Sequence, residues 1–247
     1  MLIRLALTAL VLVLGPAAAP GQMYEAPFTD LVDLPTAHGL PRGGYSLSVR
    51  VAPGGDVVAG VRVGVTSYVG VGLTYGAGNA IGSGEPDWND RVELDIKLRV
   101  ADERQAIPAI AVGYDSRGYG AELDDGGYAK ASEGLYIVAT KTLPFSDFWQ
   151  ASVGASRTLE MKKVRPDFYA GLTARFSQEF SVVAEYHLGV DRLHDDDDSK
   201  TNYLNAGLRW VFNNQLELDV YFRNLIGPSD SPELSSRSLQ FVFYDSF

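Results

Sequence analysis

Cysteine is absent from this 247-residue chain. That excludes disulfides, thiolate metal sites and a lipidated N-terminal cysteine, and with them a disulfide-stapled secreted scaffold. Histidine occurs three times, at His38, His187 and His194, too scattered to supply a cluster of metal ligands. No metal site and no cofactor is expected. Nor does any apolar run approach the ~20 residues of a membrane helix. Lys and Arg number 21 against 31 Asp and Glu, a net charge of −10, so nucleic acid is not an expected partner.

What the chain has begins at its N-terminus. Arg4 is followed by the apolar run Leu5 to Leu14 and by small residues at Ala17, Ala18 and Ala19. This pattern predicts a secretory signal peptide over 1–21, leaving about 225 residues, enough for one domain.

From residue 43 onward the chain alternates apolar and polar residues in segments of roughly ten. In 91–100, Val92, Leu94, Ile96, Leu98 and Val100 share one parity, and Arg91, Glu93, Asp95, Lys97 and Arg99 the other. Side chains alternate across a strand, so each such segment has an apolar and a polar face. Twelve strands are expected, at 43–52, 57–65, 68–76, 91–101, 106–115, 134–141, 146–156, 167–177, 180–190, 202–212, 215–223 and 236–244. Their connections alternate between short turns and mostly long loops, the pattern of bacterial outer-membrane barrels. The expectation is an all-β, antiparallel transmembrane β-barrel over 43–247, apolar towards lipid and polar towards the lumen. An even strand number puts both termini in the periplasm of a bacterial outer membrane.

Aromatic residues sit where the two interfacial girdles should lie. Trp149, Phe176, Phe180, Trp210, Phe212 and Phe243 fall near the short-turn end; Phe168, Tyr186 and Phe222 fall nearer the long loops. The chain ends on Phe247, after Leu239, Phe241 and Phe243 on one parity. A terminal Phe of this kind resembles the signal read by the barrel-insertion machinery. Lipid and lipopolysaccharide are the other expected partners.

On the inward parity lie Arg50, Arg62, Glu93, Asp95, Lys97, Arg99, Arg175, Glu185, His187, Arg209, Glu217, Asp219 and Arg223. Both signs are present, as a narrow lumen requires, because unpaired buried charge costs several kcal/mol. They read first as a paired network and second as the lining of a solute path. No catalytic residue is expected. Ser181 and His187 share a face of one strand, but six residues at ~3.3 Å put them about 20 Å apart. The run Asp195 to Asp198 reads as a solvated loop, since adjacent carboxylates repel and a calcium loop spaces its ligands. Lys162, Lys163 and Arg165 read as a second solvated loop, with anionic sugars as the alternative contact. Residues 22–42 are too polar and proline-broken for a membrane strand. They are expected in the periplasm or folded into the lumen.

One stretch carries a family likeness. Leu31-Val32-Asp33-Leu34-Pro35-Thr36-Ala37, then Leu40-Pro41-Arg42-Gly43-Gly44-Tyr45, resembles the opening of YjbH-type outer-membrane β-barrel proteins. Val63 to Gly72 and Ile107 to Gly113 resemble that family's early strands. The resemblance implies support of exopolysaccharide or capsule export, with a polysaccharide as partner and the lumen as a narrow conduit. The alternative from the residues alone is a porin-like small-solute channel with a charged lumen.

Overall fold

The computed structural model describes residues 28–122, 128–145, 148–160, 166–190, 200–226 and 236–247. The signal-peptide segment, His194 with Asp195 to Asp198, and Lys162, Lys163 and Arg165 lie outside the described residues.

The expected twelve-stranded barrel is what the chain forms. Its strands are β1 (Gly44–Val51), β2 (Val57–Gly64), β3 (Val69–Gly78), β4 (Glu93–Ala101), β5 (Ala109–Asp115), β6 (Gly134–Thr142), β7 (Trp149–Arg157), β8 (Asp167–Arg175), β9 (Phe180–Val190), β10 (Lys200–Phe212), β11 (Leu216–Phe222) and β12 (Arg237–Ser246). Each pairs antiparallel with its chain neighbours, and β12 pairs with β1 to close the sheet. The closing register runs from Gly44↔Ser246 to Val51↔Leu239. Closure leaves no strand edge to be satisfied in lipid.

Local chemistry sets the short turns. The Thr66 hydroxyl accepts from the Tyr68 and Val69 amides between β2 and β3. Ser177 does the same for Glu179 and Phe180 between β8 and β9. Asn213 and Asn214 take φ of 51° and 57°, the left-handed pair that a tight hairpin needs. β5 starts at Ala109 and not at 106, because Pro108 has no N–H to give the ladder. Two long loops hold short strands that alternation did not announce. Asp87–Trp88 extends the sheet beside β3, with Trp88 stacked on Tyr75 at 5.8 Å. Tyr119–Glu122 pairs with Tyr128–Lys130.

The two faces separate as alternation requires. On β4, Glu93, Asp95 and Lys97 are buried, while Ile96, Leu98 and Val100 on the opposite face are 39–54% exposed. The outer surface is apolar and the packed interior lies inside the barrel.

That interior is filled by residues 28–40. The segment makes a tight turn, with the Leu31 amide donating to the Leu34 carbonyl at 2.8 Å and the Thr36 amide to the Thr29 carbonyl at 3.1 Å. Leu31, Val32, Leu34 and Ala37 are fully buried and share one apolar cluster with Ala109 and Ala111 of β5, Tyr136 and Val138 of β6, Tyr169 of β8, Val183 of β9 and Tyr221 of β11. Leu31 rests on Gly171 of β8, where an added Cβ would lie 2.2 Å from Leu31 Cδ1. Burying Leu31, Val32 and Leu34 contributes roughly 1.5–3 kcal/mol each. The segment therefore leans on the β5–β9 side of the lumen, with Tyr221 of β11 also in reach.

Candidate functional site

Polar groups hold the inner segment as firmly as apolar ones. Glu185 of β9 accepts hydrogen bonds from three successive amides, Val32 at 2.9 Å, Asp33 at 3.0 Å and Leu34 at 3.2 Å, all on Oε2. Its Oε1 accepts from Asn205 Nδ2 at 2.7 Å. Four N–H donors thus share the two oxygens of this buried carboxylate.

Two acidic side chains of the segment meet barrel cations. Asp33 takes a two-pronged contact from Arg223, whose Nε and Nη2 each come within 2.8 Å, and Arg50 Nη1 lies at 3.4 Å. Asp30 pairs with Arg62, with Lys97 Nζ 3.9 Å away. Lys97 also donates to the carbonyls of Thr29 at 2.7 Å and His38 at 3.1 Å. Burial pushes both carboxyls up, but Arg223 beside Asp33 and Arg62 beside Asp30 outweigh it and hold them well below the usual carboxylate range.

Several of the other wall charges pair across the wall. Arg62 Nε lies 2.9 Å from Asp95. Arg209 lies 2.9 Å from Asp219 and 3.2 Å from Glu217, and its Nη2 also reaches the Tyr221 hydroxyl. Arg175 and Arg209 sit over the Phe28 ring at 5.0 and 5.3 Å. Glu93 accepts from the Tyr128 hydroxyl at 2.9 Å and from Arg91 at 2.8 Å. Arg99 sits at the short-turn rim. There it donates to the Ser67 carbonyl at 2.6 Å and pairs with Asp102 at 3.2 Å, next to a register shift between Arg99 and Ala101.

His187 Nε2 lies 3.7 Å from Glu133 Oε2, and the Ser156 hydroxyl donates to that same oxygen. In a hydrolytic triad the imidazole stands between the hydroxyl and the acid. Here the carboxylate stands between the hydroxyl and the imidazole, so His187 is not set to take the serine proton.

Sequence reasoning missed the partners that the segment and loops supply. Asp30, Asp33, Asn205, Arg117 and Tyr128 all join the lumen network. Arg117 forks onto Asp115, with Nε 2.9 Å from Oδ1. The available signal was a pair of acids three residues apart in a segment too polar to be a strand.

Among the described residues, two spaces inside the barrel bear on the site. A vestibule of about 550 Å³ lies towards the long-loop end and reaches down to Asp33, with Arg50, Glu93, Lys130, Tyr203 and Arg223 in its lining. A smaller cavity of about 40 Å³ lies deeper, between the inner segment and the wall that runs from β10 through β12 to β1–β3.

No family model matches the chain, and no curated protein matches it. Solved structures do. The chain is similar to the KdgM porin at 8% identity, over 83% of this chain and 99% of that one, with a TM-score of 0.52. The same figures hold for the KdgM porin in complex with disordered oligogalacturonate. The NanC porin follows at 8% identity, 82% and 99% coverage, and a TM-score of 0.47. The fold is that of a small outer-membrane porin. This overturns the likeness to YjbH-type barrels. The stretch that carried it, Leu31 to Ala37, is spent on packing: its apolar residues fill the lumen and Asp33 meets Arg223. Alternating Gly and Val in β2 and β3 meet the general needs of a narrow barrel, small inside and apolar outside.

Proposed function

We propose that the protein is a non-enzymatic small-solute channel of the outer membrane, with both chain ends on the periplasmic side. The observation that carries this reading is the vestibule. It is a space of about 550 Å³, lined by charges of both signs, at the long-loop side of a porin-type barrel. A vestibule lined by both Asp33 and Glu93 and by Arg50, Lys130 and Arg223 offers small polar solutes partners of either sign. The support of exopolysaccharide export rested on the overturned resemblance and goes with it. The lumen groups Arg62, Glu93, Asp95, Lys97, Arg175, Glu185, His187, Arg209, Glu217, Asp219 and Arg223 are then the wall of the conduit, and Arg99 belongs to its short-turn rim. Phe247, 86% exposed at that rim, is offered to the insertion machinery, while lipid and lipopolysaccharide surround the outer face.

Purified full-length protein reconstituted in planar bilayers and in liposomes tests this. Discrete current steps, and liposome swelling in small sugars that fades with sugar size, are expected. The overturning result is a barrel silent in both assays. It must remain silent in a variant whose inner segment is unseated by Leu31→Asp and Asp33→Lys.

A further inference from the structure

The inner segment fills the lumen unevenly. Its apolar residues pack on β5–β9. Opposite, β1–β3 present Ser46, Ser48, Gly60 and Thr74 beside Arg50 and Arg62, and these line the 40 Å³ cavity. That cavity and the vestibule above it share Asp33, Ser48, Arg50, Thr74, Arg117 and Gln240 in their linings, so they are stacked along one wall. The space exceeds the 10–15 Å³ that a water needs. Arg62, which lines it, keeps Nη2 buried with no protein hydrogen-bond partner among the described residues, a donor that water can satisfy.

At its short-turn end the cavity meets Val242 and Tyr244 of β12. These two form a buried apolar cluster with Leu40, at 5%, 4% and 6% exposure. Leu40 is held there by the backbone. An added Cβ on Gly64 of β2 would lie 2.7 Å from the Leu40 carbonyl oxygen and 2.0 Å from that of Pro41, so only glycine lets the chain cross at this point. The Gly43 amide donates to the Gly64 carbonyl at 2.8 Å and fixes the crossing.

We propose that water and small inorganic ions pass along this eccentric seam, beside a stationary inner segment, and that the Leu40–Val242–Tyr244 collar is the gate. With the Tyr244 hydroxyl turned to Glu217, the seam ends on an apolar contact, which closes it by dewetting; a polar side chain at Leu40 admits water. The inference rests on the channel reading above. It differs in placing the barrier at Leu40 and not in the whole segment.

The test pins the segment and opens the collar. The Ala37 amide donates to Thr140 Oγ1 at 2.9 Å, so Ala37→Cys with Thr140→Cys places two thiols at the segment–wall contact. The chain has no other cysteine, which leaves one pairing. Potassium chloride conductance is measured for the wild type and for Leu40→Ser, each with and without the oxidised crosslink. Leu40→Ser is expected to raise conductance several-fold whether or not the segment is pinned. Adding Ser48→Phe is expected to remove the gain. Leu40→Thr serves if the serine variant fails to show the heat-dependent gel shift of a folded barrel. A gain that disappears on oxidation and returns with reductant would overturn the seam and leave the channel reading standing. So would silence of wild type and Leu40→Ser beside conduction by Leu31→Asp/Asp33→Lys. Silence of all of them would sink both.

Discussion

At the scale of single residues, Glu185 is the most demanding contact in the lumen. One of its oxygens serves three amides of the inner segment. Glu185→Leu leaves those donors buried without an acceptor. Each unsatisfied donor costs about 1–3 kcal/mol. The variant is expected to lose several kcal/mol in urea unfolding, while Glu185→Gln, which keeps one acceptor oxygen, loses less than half as much. A second expectation concerns pH. Asp30 and Asp33 have depressed carboxyl pKa values, so the stability they contribute is present above the unfolded value of roughly 3.9. It is lost as pH falls below that, through the folded value. In Glu185→Gln, where that carboxylate cannot titrate, protease protection of residues 28–40 should therefore stay flat from neutral pH to about 4 and fall only in stronger acid. Loss of protection between neutral pH and 5 would contradict the assigned pairs.

At the scale of elements, the inner segment and β8 are fitted to each other at one point. Gly171→Val places a side chain where Leu31 Cδ1 now sits, 2.2 Å from the would-be Cβ. The strand itself is indifferent to the change, since valine favours extended backbone. The expected outcome is a closed barrel with an unseated segment. Limited proteolysis should cut within 28–40 while the barrel core resists. Cleavage across the strands instead would mean that the segment is required for the barrel to form. The short strands Asp87–Trp88 and Tyr119–Glu122 carry a related lesson. Each pairs within or beside a long loop, where alternation is too brief to read.

At the scale of the whole molecule, the barrel is an inverted globule, apolar outside and polar within. Leu208 and Arg209 are neighbours on β10 and face opposite solvents: Leu208 is 54% exposed on the outer face, and Arg209 is buried against Asp219. Leu208→Arg is expected to cost about 2–4 kcal/mol if the site lies at the bilayer midplane, read by unfolding in lipid. The same substitution should be far milder in detergent, where the arginine can reach water. Equal costs in both would argue against a lipid-facing position.

Much of this architecture is written locally. Strand number, the face each residue shows and the short turns follow from period-two alternation and turn chemistry within a few residues of each other. Thr66, Ser177 and the Asn213-Asn214 pair are examples. The inward parity of Glu93, Asp95 and Lys97 was legible for the same reason. Which charge meets which was not. Asp33 finds Arg223, 190 positions away, only because the sheet closes and the segment turns back into it. The side of the lumen the segment takes, and so the seam it leaves beside β1–β3, depends on wall shape. Glycine at 171 admits Leu31, and Ser48 and Thr74, in contact across Gly60, line the small cavity on the other side. Parity assigns a side chain to a face of the sheet. Only the closed, curved barrel decides what stands across from it.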